Sequence, residues 1–404
     1  MSSKQLVVEI HGTGTHNRGA ELMAIAIIEQ LRQRYSDPLI VVGERFGTVE
    51  DLEKYDLHTT WEQPEKLHRY AYAILRRLVR GLPYIGESKI EKAYLRFTKR
   101  FSPKWSRMVD PSRIDIVIDA SGFAFSDQCA PRNAHALVRL MNGRRPGKPL
   151  LLLPQALGPF NMPIVANATQ ELVERAEFCM ARDAVSLEEI KRLVPDSQQV
   201  FLFPDFTPLV DPIPPENAQQ IPDDFVAIVP NYRMLDKTDN PKVYLEFLAN
   251  ACNALKKAGQ EVVFVVHDAK EDLKVMKLLE DEIGQPTIFQ HADPRVLKQV
   301  LGRASFVIGS RFHALVSSLS GSVPCIAAGW SHKYPELLKQ FDCAELHLAE
   351  LSDEQKLNEL LTTLTTAESN QAIRRKIHAA VEKTKTRIQE MWDMVFVVLD
   401  GVSG

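Results

Sequence analysis

Short apolar runs alternate with amphipathic stretches along most of the chain. Residues 6–10, 39–42, 114–120, 150–153, 179–181 and 201–203 read as buried strands. Between the first two, apolar positions Leu22, Ile25, Ala26, Ile28 and Leu31 recur at helical spacing over about residues 20–35. A second helix is expected near Ser186. The alternation restarts further on, with strands at 225–229, 261–266, 287–289, 306–308 and 324–327. Helices are expected between them at 241–258, 270–282, 293–303 and 313–320, followed by a charged helical tail over about 352–399. Strands joined by helices in this way predict parallel sheets with right-handed crossovers.

Residues 204–224 interrupt the pattern with six prolines and few periodic apolar positions, which is a linker composition. The expected fold class is α/β, with two doubly wound domains facing a cleft. The expected boundaries are a first domain over 1–210, a linker over 211–224, a second domain over 225–347 and C-terminal helices over 348–404. In such sheets a ligand sits outside the carboxyl ends of the strands.

Composition changes this picture little. A 404-residue chain with 45% hydrophobic and 25% charged residues is neither disordered nor a disulfide scaffold. A net charge of −3 gives no global footprint for nucleic acid. The five cysteines are scattered, with no CxxC pair, as expected of free thiols in a reducing compartment. No run of the sequence has the length and apolarity of a membrane span or a signal peptide. The protein is expected to be cytoplasmic, at most peripheral on the inner face of a membrane.

The candidate chemistry falls at strand ends. HGTGTHNRGAELM (11–23) is a glycine-rich turn into a helix, with Thr15, Asn17 and Arg18 in it. It matches neither the dinucleotide fingerprint nor a P-loop. DASGFAFSDQ (119–128) carries Asp127, and PQALGPF (154–160) carries Gln155. In ARDAVS, Arg182 and Asp183 are expected to form a local ion pair or a helix cap. In the second half, Arg233, His267, Asp268, Arg311, His313, His332 and Lys333 all follow strands of one sheet. That much positive charge at one sheet face implies an anionic ligand. No carboxylate cluster at metal-ligand spacing appears, so no metal is expected.

Together, NRGAELM, PQALGPF, ARDAVS, PDFTPLV and GSRFHALVSSLSGSVPCIAAGW resemble the polysaccharide pyruvyl transferase family, over about residues 7–346. The resemblance implies a GT-B-like pair of Rossmann-type domains. It also implies transfer of enolpyruvate from phosphoenolpyruvate (PEP) onto a saccharide, giving a pyruvate ketal. PEP is then the donor substrate, and no cofactor is implied. Arg233 and Arg311 match family positions that hold the donor, with His332 and Lys333 as further candidates for the same anion. His313 matches the general acid. Thr15, Asn17, Arg18, Asp127 and Gln155 are candidates for the acceptor or the cleft loops. The chain departs from the family pattern at DASGFAFSD, where Gly122 stands alone, and in an insert at about 61–107.

Two other functions stay open on sequence. One is a GT-B sugar-nucleotide glycosyltransferase, for which Glu336 offers a carboxylate to the donor ribose. The other is a non-catalytic saccharide-binding member of the family. The insert also has several readings. Residues 66–107 hold twelve Lys and Arg against Glu87 and Glu91, interleaved with aromatic and aliphatic residues, and Gly81–Leu82–Pro83 divides them into two expected helices. Such helices either pack their apolar face on the first domain or lie on an anionic membrane near a lipid-linked acceptor. Nucleic acid is the weaker alternative, since nothing else in the chain fits it.

Overall fold

The computed structural model describes residues 5–43, 46–60, 107–129, 131–216, 221–236, 240–268, 270–329 and 331–403. The basic insert at 61–107, with its membrane reading, lies outside the described residues except for Arg107. That residue pairs with Asp56 at 3.0 Å.

The first sheet has eight parallel strands: β1 (Val7–His11), β2 (Leu39–Val42), β3 (His58–Thr60), β4 (Met108–Val109), β5 (Ile116–Asp119), β6 (Leu150–Gln155), β7 (Phe178–Ala181) and β8 (Val200–Leu202). Their order is β4-β3-β2-β1-β5-β6-β7-β8. Helices α1 (Arg18–Arg34), α2 (Val49–Lys54), α3 (Arg132–Gly143), α4 (Pro163–Arg175) and α5 (Ala184–Leu193) accompany these strands. Successive strand residues point to opposite faces. Val8, Ile10, Ile116, Ile118, Leu151 and Leu153 join one core, while Val7, Val117, Leu150 and Leu152 join another. Covering both faces is what makes these strands read as continuous apolar runs. β3 and β4 escaped the sequence reading because they are short and flank the insert. They pair as Thr59 with Met108 at the edge of the sheet.

The second sheet has six parallel strands: β9 (Val226–Val229), β10 (Val262–Val266), β11 (Thr287–Gln290), β12 (Val307–Gly309), β13 (Cys325–Ala328) and β14 (His347–Leu348). Their order is β11-β10-β9-β12-β13-β14. Its helices are α6 (Arg233–Asp236), α7 (Pro241–Lys257), α8 (Asp272–Ile283), α9 (Pro294–Leu301), α10 (Phe312–Ser320) and α11 (Lys333–Gln340). The strand order reverses direction between β1 and β5 in one sheet and between β9 and β12 in the other. Those two switch points are where crevices open.

The tail forms α12 (Glu354–Thr365) and the 37-residue α13 (Ala367–Ser403). α13 does more than extend the second domain. Ile373, Ile377, Ala380 and Val381 pack into the second core, and Ile388, Met391, Trp392, Val395 and Leu399 pack into the first. Trp392 meets Phe206 edge-to-face at 6.0 Å. At its far end Asp400 accepts from Arg34 and from the Tyr35 hydroxyl, both at 2.6 Å. One helix therefore straps both sheets together. Beside it runs the connection between them, where a 3₁₀ turn at Thr207–Leu209 is held by Lys298 of α9. The buried ammonium donates to the carbonyls of Thr207, Pro208 and Val210 at 2.8, 3.2 and 2.7 Å.

Candidate active site

The two switch points face each other across a cleft of about 310 Å³. The first sheet contributes Asn17, Gly19, Ser121, Gly122, Phe123 and Gln128; the second contributes Asn231, Arg233, His267, Ser310–Ala314, Ser331, Lys333 and Tyr334.

On the first side, Asn17 caps α1 by accepting the Gly19 N–H at 2.9 Å. This cap starts the helix at Arg18, two residues ahead of the apolar periodicity. Gly12 has φ +76°, and a Cβ there would fall 2.2 Å from the Ser121 hydroxyl, so the turn needs glycine. At Gly19 a Cβ would fall 2.4 Å from His313 Nδ1. The start of α1 therefore packs directly on the candidate acid. Beneath these loops lies a charge network. Glu9 is fully buried, bound to Arg145 and 3.2 Å from His11 Nε2. Burial alone would raise the Glu9 carboxyl, but His11 and Arg145 outweigh it and hold it at about 2. Asp119 accepts from the Ser121 N–H and hydroxyl, at 3.1 and 2.8 Å; its burial pushes the carboxyl up.

On the second side, Asn231 ties the β9 and β12 loops together. Its amide donates to the Ser310 carbonyl at 2.9 Å, and its Oδ1 accepts the Arg233 N–H at 3.1 Å. Arg311 stands at the N-cap of α10, which has no side-chain cap, and its guanidinium bonds to Asp272. Asp272 is fully buried and also accepts the N–H groups of Tyr232 and Asp268, at 3.0 and 2.9 Å. His313, two residues on, has Nε2 3.3 Å from Asp205 Oδ2. Asp205 is buried in the connection that leaves the first sheet. It also takes Arg182 at 3.4 Å and the N–H and hydroxyl of Thr207. Burial would raise its carboxyl, yet His313, Arg182 and Thr207 hold it well below the usual carboxylate range. The Arg182 guanidinium lies 3.8 Å from the centroid of the Phe312 ring. Two buried aspartates, one from each half, thus fix the two groups at the start of α10.

The sequence candidates divide cleanly. Arg233, Arg311, His313, Lys333 and Asn17 line the cleft. Lys333 also sits 5.6 Å over the Phe123 ring. His332 is not among the lining residues; its ring meets Phe123 edge-to-face at 6.3 Å. Thr15 turns to Asp51 at 2.9 Å, and Arg18 pairs with Glu21. Asp127 accepts the N–H groups of Asn161 and Met162, at 2.6 and 3.1 Å. Gln155 is fully buried beside Asp119. Thr15, Arg18 and Asp127 shape their own loops, Gln155 is buried at the end of β6, and none of the four lines the cleft. Of the two expected roles for Asp183, the cap holds: it accepts the Ser186 N–H at 2.7 Å, while Arg182 turns away to Asp205. Asp205 and Asp272 were missed. Asp205 stands alone among prolines and Asp272 is one of three acidic residues over 268–272, and the cationic partner of each lies far along the chain. Among the described residues, no three His, Cys, Asp or Glu come together as metal ligands do. No described helix is long and apolar enough to cross a membrane.

Comparison with known proteins agrees with this layout. The model of the polysaccharide pyruvyl transferase family matches residues 17–332. No curated protein matches the chain. Among solved structures, the Anabaena protein HepE in complex with UDP and glucose aligns with a TM-score of 0.57 at 12% identity, covering 97% of this chain and 99% of that one. The UDP-GlcNAc 2-epimerase of Neisseria meningitidis, bound to UDP-GlcNAc, gives 0.57 at 12%, covering 97% and 100%. A glycosyltransferase of Rickettsia africae gives 0.55 at 12%, covering 99% and 98%. At this identity the likeness shows the fold: two Rossmann-like domains, as in GT-B glycosyltransferases and epimerases.

Proposed function

Because the chain belongs to the polysaccharide pyruvyl transferase family, we propose that it moves enolpyruvate from PEP onto a saccharide and closes a pyruvate ketal. The observation that carries this reading is the start of α10, where Arg311 and His313 enter one cleft, each anchored by its own buried carboxylate. PEP brings a phosphate and a carboxylate. Arg311, Arg233 and Lys333 supply the positive charge, and a guanidinium fork suits either group. The uncapped N-terminus of α10 adds N–H groups for the same anion.

His313 is the general acid in this reading. Asp205 takes the Nε2 side of the ring, which leaves Nδ1 beside Gly19 at the cleft wall. The proton goes to the methylene carbon of PEP, C2 takes oxocarbenium character, and a sugar hydroxyl attacks it. The C2–phosphate bond then breaks and a second hydroxyl closes the ketal. Of the two hydroxyl protons, one restores His313 and the other leaves with phosphate. The acceptor is a saccharide at the Asn17–Gly19 and Ser121–Phe123 side of the cleft. A lipid-linked acceptor would suit a basic insert at 66–107, and sedimentation with anionic vesicles tests that attachment.

The glycosyltransferase reading relies on Glu336. That carboxylate pairs with Lys339 at 2.7 Å and lines a neighbouring cavity of about 440 Å³, which shares the Arg182 wall with this cleft, but not the cleft itself. Incubation with PEP and a panel of lipid-linked saccharides, followed by phosphate release and product mass, decides between them. Arg311→Ala and Arg233→Ala should each weaken PEP binding about 10- to 100-fold, the worth of one charged hydrogen bond. Arg→Lys should restore only part. Turnover of a nucleotide sugar without PEP consumption would sink the proposal.

A further inference from the structure

His267 directly follows β10 and lines the cleft, yet no step above uses it. Its side chain is buried, with 7% of the residue exposed, and Nε2 has no hydrogen-bond partner. A buried ring nitrogen left unpaired is costly, and the site around it is arranged for a guest. The groups that act on the ring are Arg311 and His313 of α10 and Arg18 of α1, all basic. Of the carboxylates that follow β10, Asp272 spends its oxygens on Arg311, Tyr232 and Asp268, and Asp268 accepts the N–H groups of Lys270 and Glu271.

We propose that His267 is a further donor-binding residue, and that it takes up a proton as the anionic donor enters the cleft. The proposal rests on the PEP reading above. In the empty cleft, burial first and then Arg311, His313 and Arg18 push the imidazole down to about 3, so it is neutral at working pH. A phosphate or carboxylate beside Arg311 and His313, the two of these that line the cleft, cancels their field; Arg18 stands behind them on Glu21. The anion also offers an acceptor to the ring N–H. Both changes favour the imidazolium, so binding and protonation are linked. Asp272 already offsets Arg311, so Arg233, Arg311 and Lys333 leave one charge of the ionised donor unmatched, which the His267 imidazolium would supply. The affinity for fully ionised PEP would fall as pH rises, by up to about tenfold per unit in the steepest range.

Calorimetry of the full chain with PEP, at pH 7.5 and above, tests this in two buffers of different ionisation enthalpy. The phosphate itself is by then almost fully ionised, since its second pKa is near 6. The expected result is uptake of about half to one proton per PEP bound. His267→Gln should bind PEP more weakly and abolish the uptake, whereas His313→Gln should retain it. NMR of the wild type labelled with ¹⁵N-histidine should show one ring passing from neutral to cationic with PEP, a readout that needs no variant to fold. Binding without proton uptake, or uptake that survives in His267→Gln, overturns the inference and leaves the donor reading standing. Failure to bind PEP at all overturns both.

Discussion

The two switch points have the same topology and opposite chemistry. In the first sheet the polar groups at the strand ends are paired with one another: Glu9 with Arg145 and His11, and Asp119 with Ser121. The loops above them are glycine-rich and leave space. At the second sheet carboxylates from both halves aim cations into the cleft, with its own Asp272 on Arg311 and Asp205 of the connecting segment on His313. Buried Nε atoms of Arg311 and His267 have no hydrogen-bond partner there. The charge at the first switch point is therefore balanced within the protein, although the Thr13 hydroxyl and the Gln155 amide there are buried without partners, whereas the second presents cations to the cleft. The same fold can supply a wall and a charged pocket because strand-end residues are free to vary over a fixed frame.

The largest expected effect breaks the charged half. His313→Ala should lower turnover by roughly two to four orders of magnitude, the usual range for a general acid, and leave PEP affinity largely intact. Asp205→Asn should follow it with a smaller loss of kcat, because the ring keeps its place but loses its ionised partner. A steady-state assay with direct PEP binding separates the two. Near wild-type turnover in a folded His313→Ala protein would remove the assignment.

The next effect falls on the paired half and is read in stability. Arg145 and Glu9 are at most 1% exposed. Removing one member of a buried pair strands the other charge and costs about 3–5 kcal/mol. Arg145→Met should therefore lower the melting temperature by several degrees or more. The double variant Glu9→Gln/Arg145→Met should recover part of the loss. If both variants melt like the wild type, the network is not holding the first half together.

These two experiments also mark what was readable in the sequence. The parallel α/β alternation and the cations after the second set of strands were legible, because burial on both faces and strand-to-helix turns leave local patterns. SRFHAL placed Arg311 and His313 correctly at the start of one helix. Polar residues in the first-half loops were not legible in the same way. Asn17, which lines the cleft, and Thr15, which bonds to Asp51, are the same kind of residue in the same turn. Only the tertiary fold says which one faces outward. Asp205 sits in a proline-rich stretch that reads as linker, and its partner His313 is more than a hundred residues away. The return of α13 to the first sheet was hidden for a related reason. Its apolar stripe continues through the whole helix, and nothing in a stripe tells which core receives each end.

A smaller effect probes where the two halves touch. Gly19 has no room for a side chain, since a Cβ would meet the His313 ring. Gly19→Ala should push the imidazole off Asp205 at about the 1–3 kcal/mol cost of overpacking. That would appear as about a tenfold or greater loss in kcat with little change in melting temperature. Gly259→Ala is the control. Nothing lies within 4 Å of its Cβ, so its φ of +76° lets that change cost stability without touching turnover. Equal kcat in the Gly19 variant and the wild type would mean that the ring does not need this contact.

The smallest effect concerns the join that keeps the two switch points opposed. Lys298 is buried with its ammonium on three carbonyls of the connecting turn. Burial pulls it down to about 8, against the partial support of Asp205 and Asp211. Its folded value is thus below the unfolded value near 10.4. Between these two values the unfolded chain holds a proton that the folded chain has released. Stability from this group therefore rises as pH climbs from about 8 toward 10.4, and is lost again as pH falls back through 8. Lys298→Met removes the titration, so the difference in unfolding free energy between wild type and variant should tilt in favour of the wild type across that window and be flat near pH 6–7. Denaturant melts at four or five pH values measure it, and taking the difference cancels the titration of the other lysines and tyrosines. A difference that stays constant from pH 7 to pH 10 would show that the ammonium is solvated, and that α13 alone straps the charged half against the paired one.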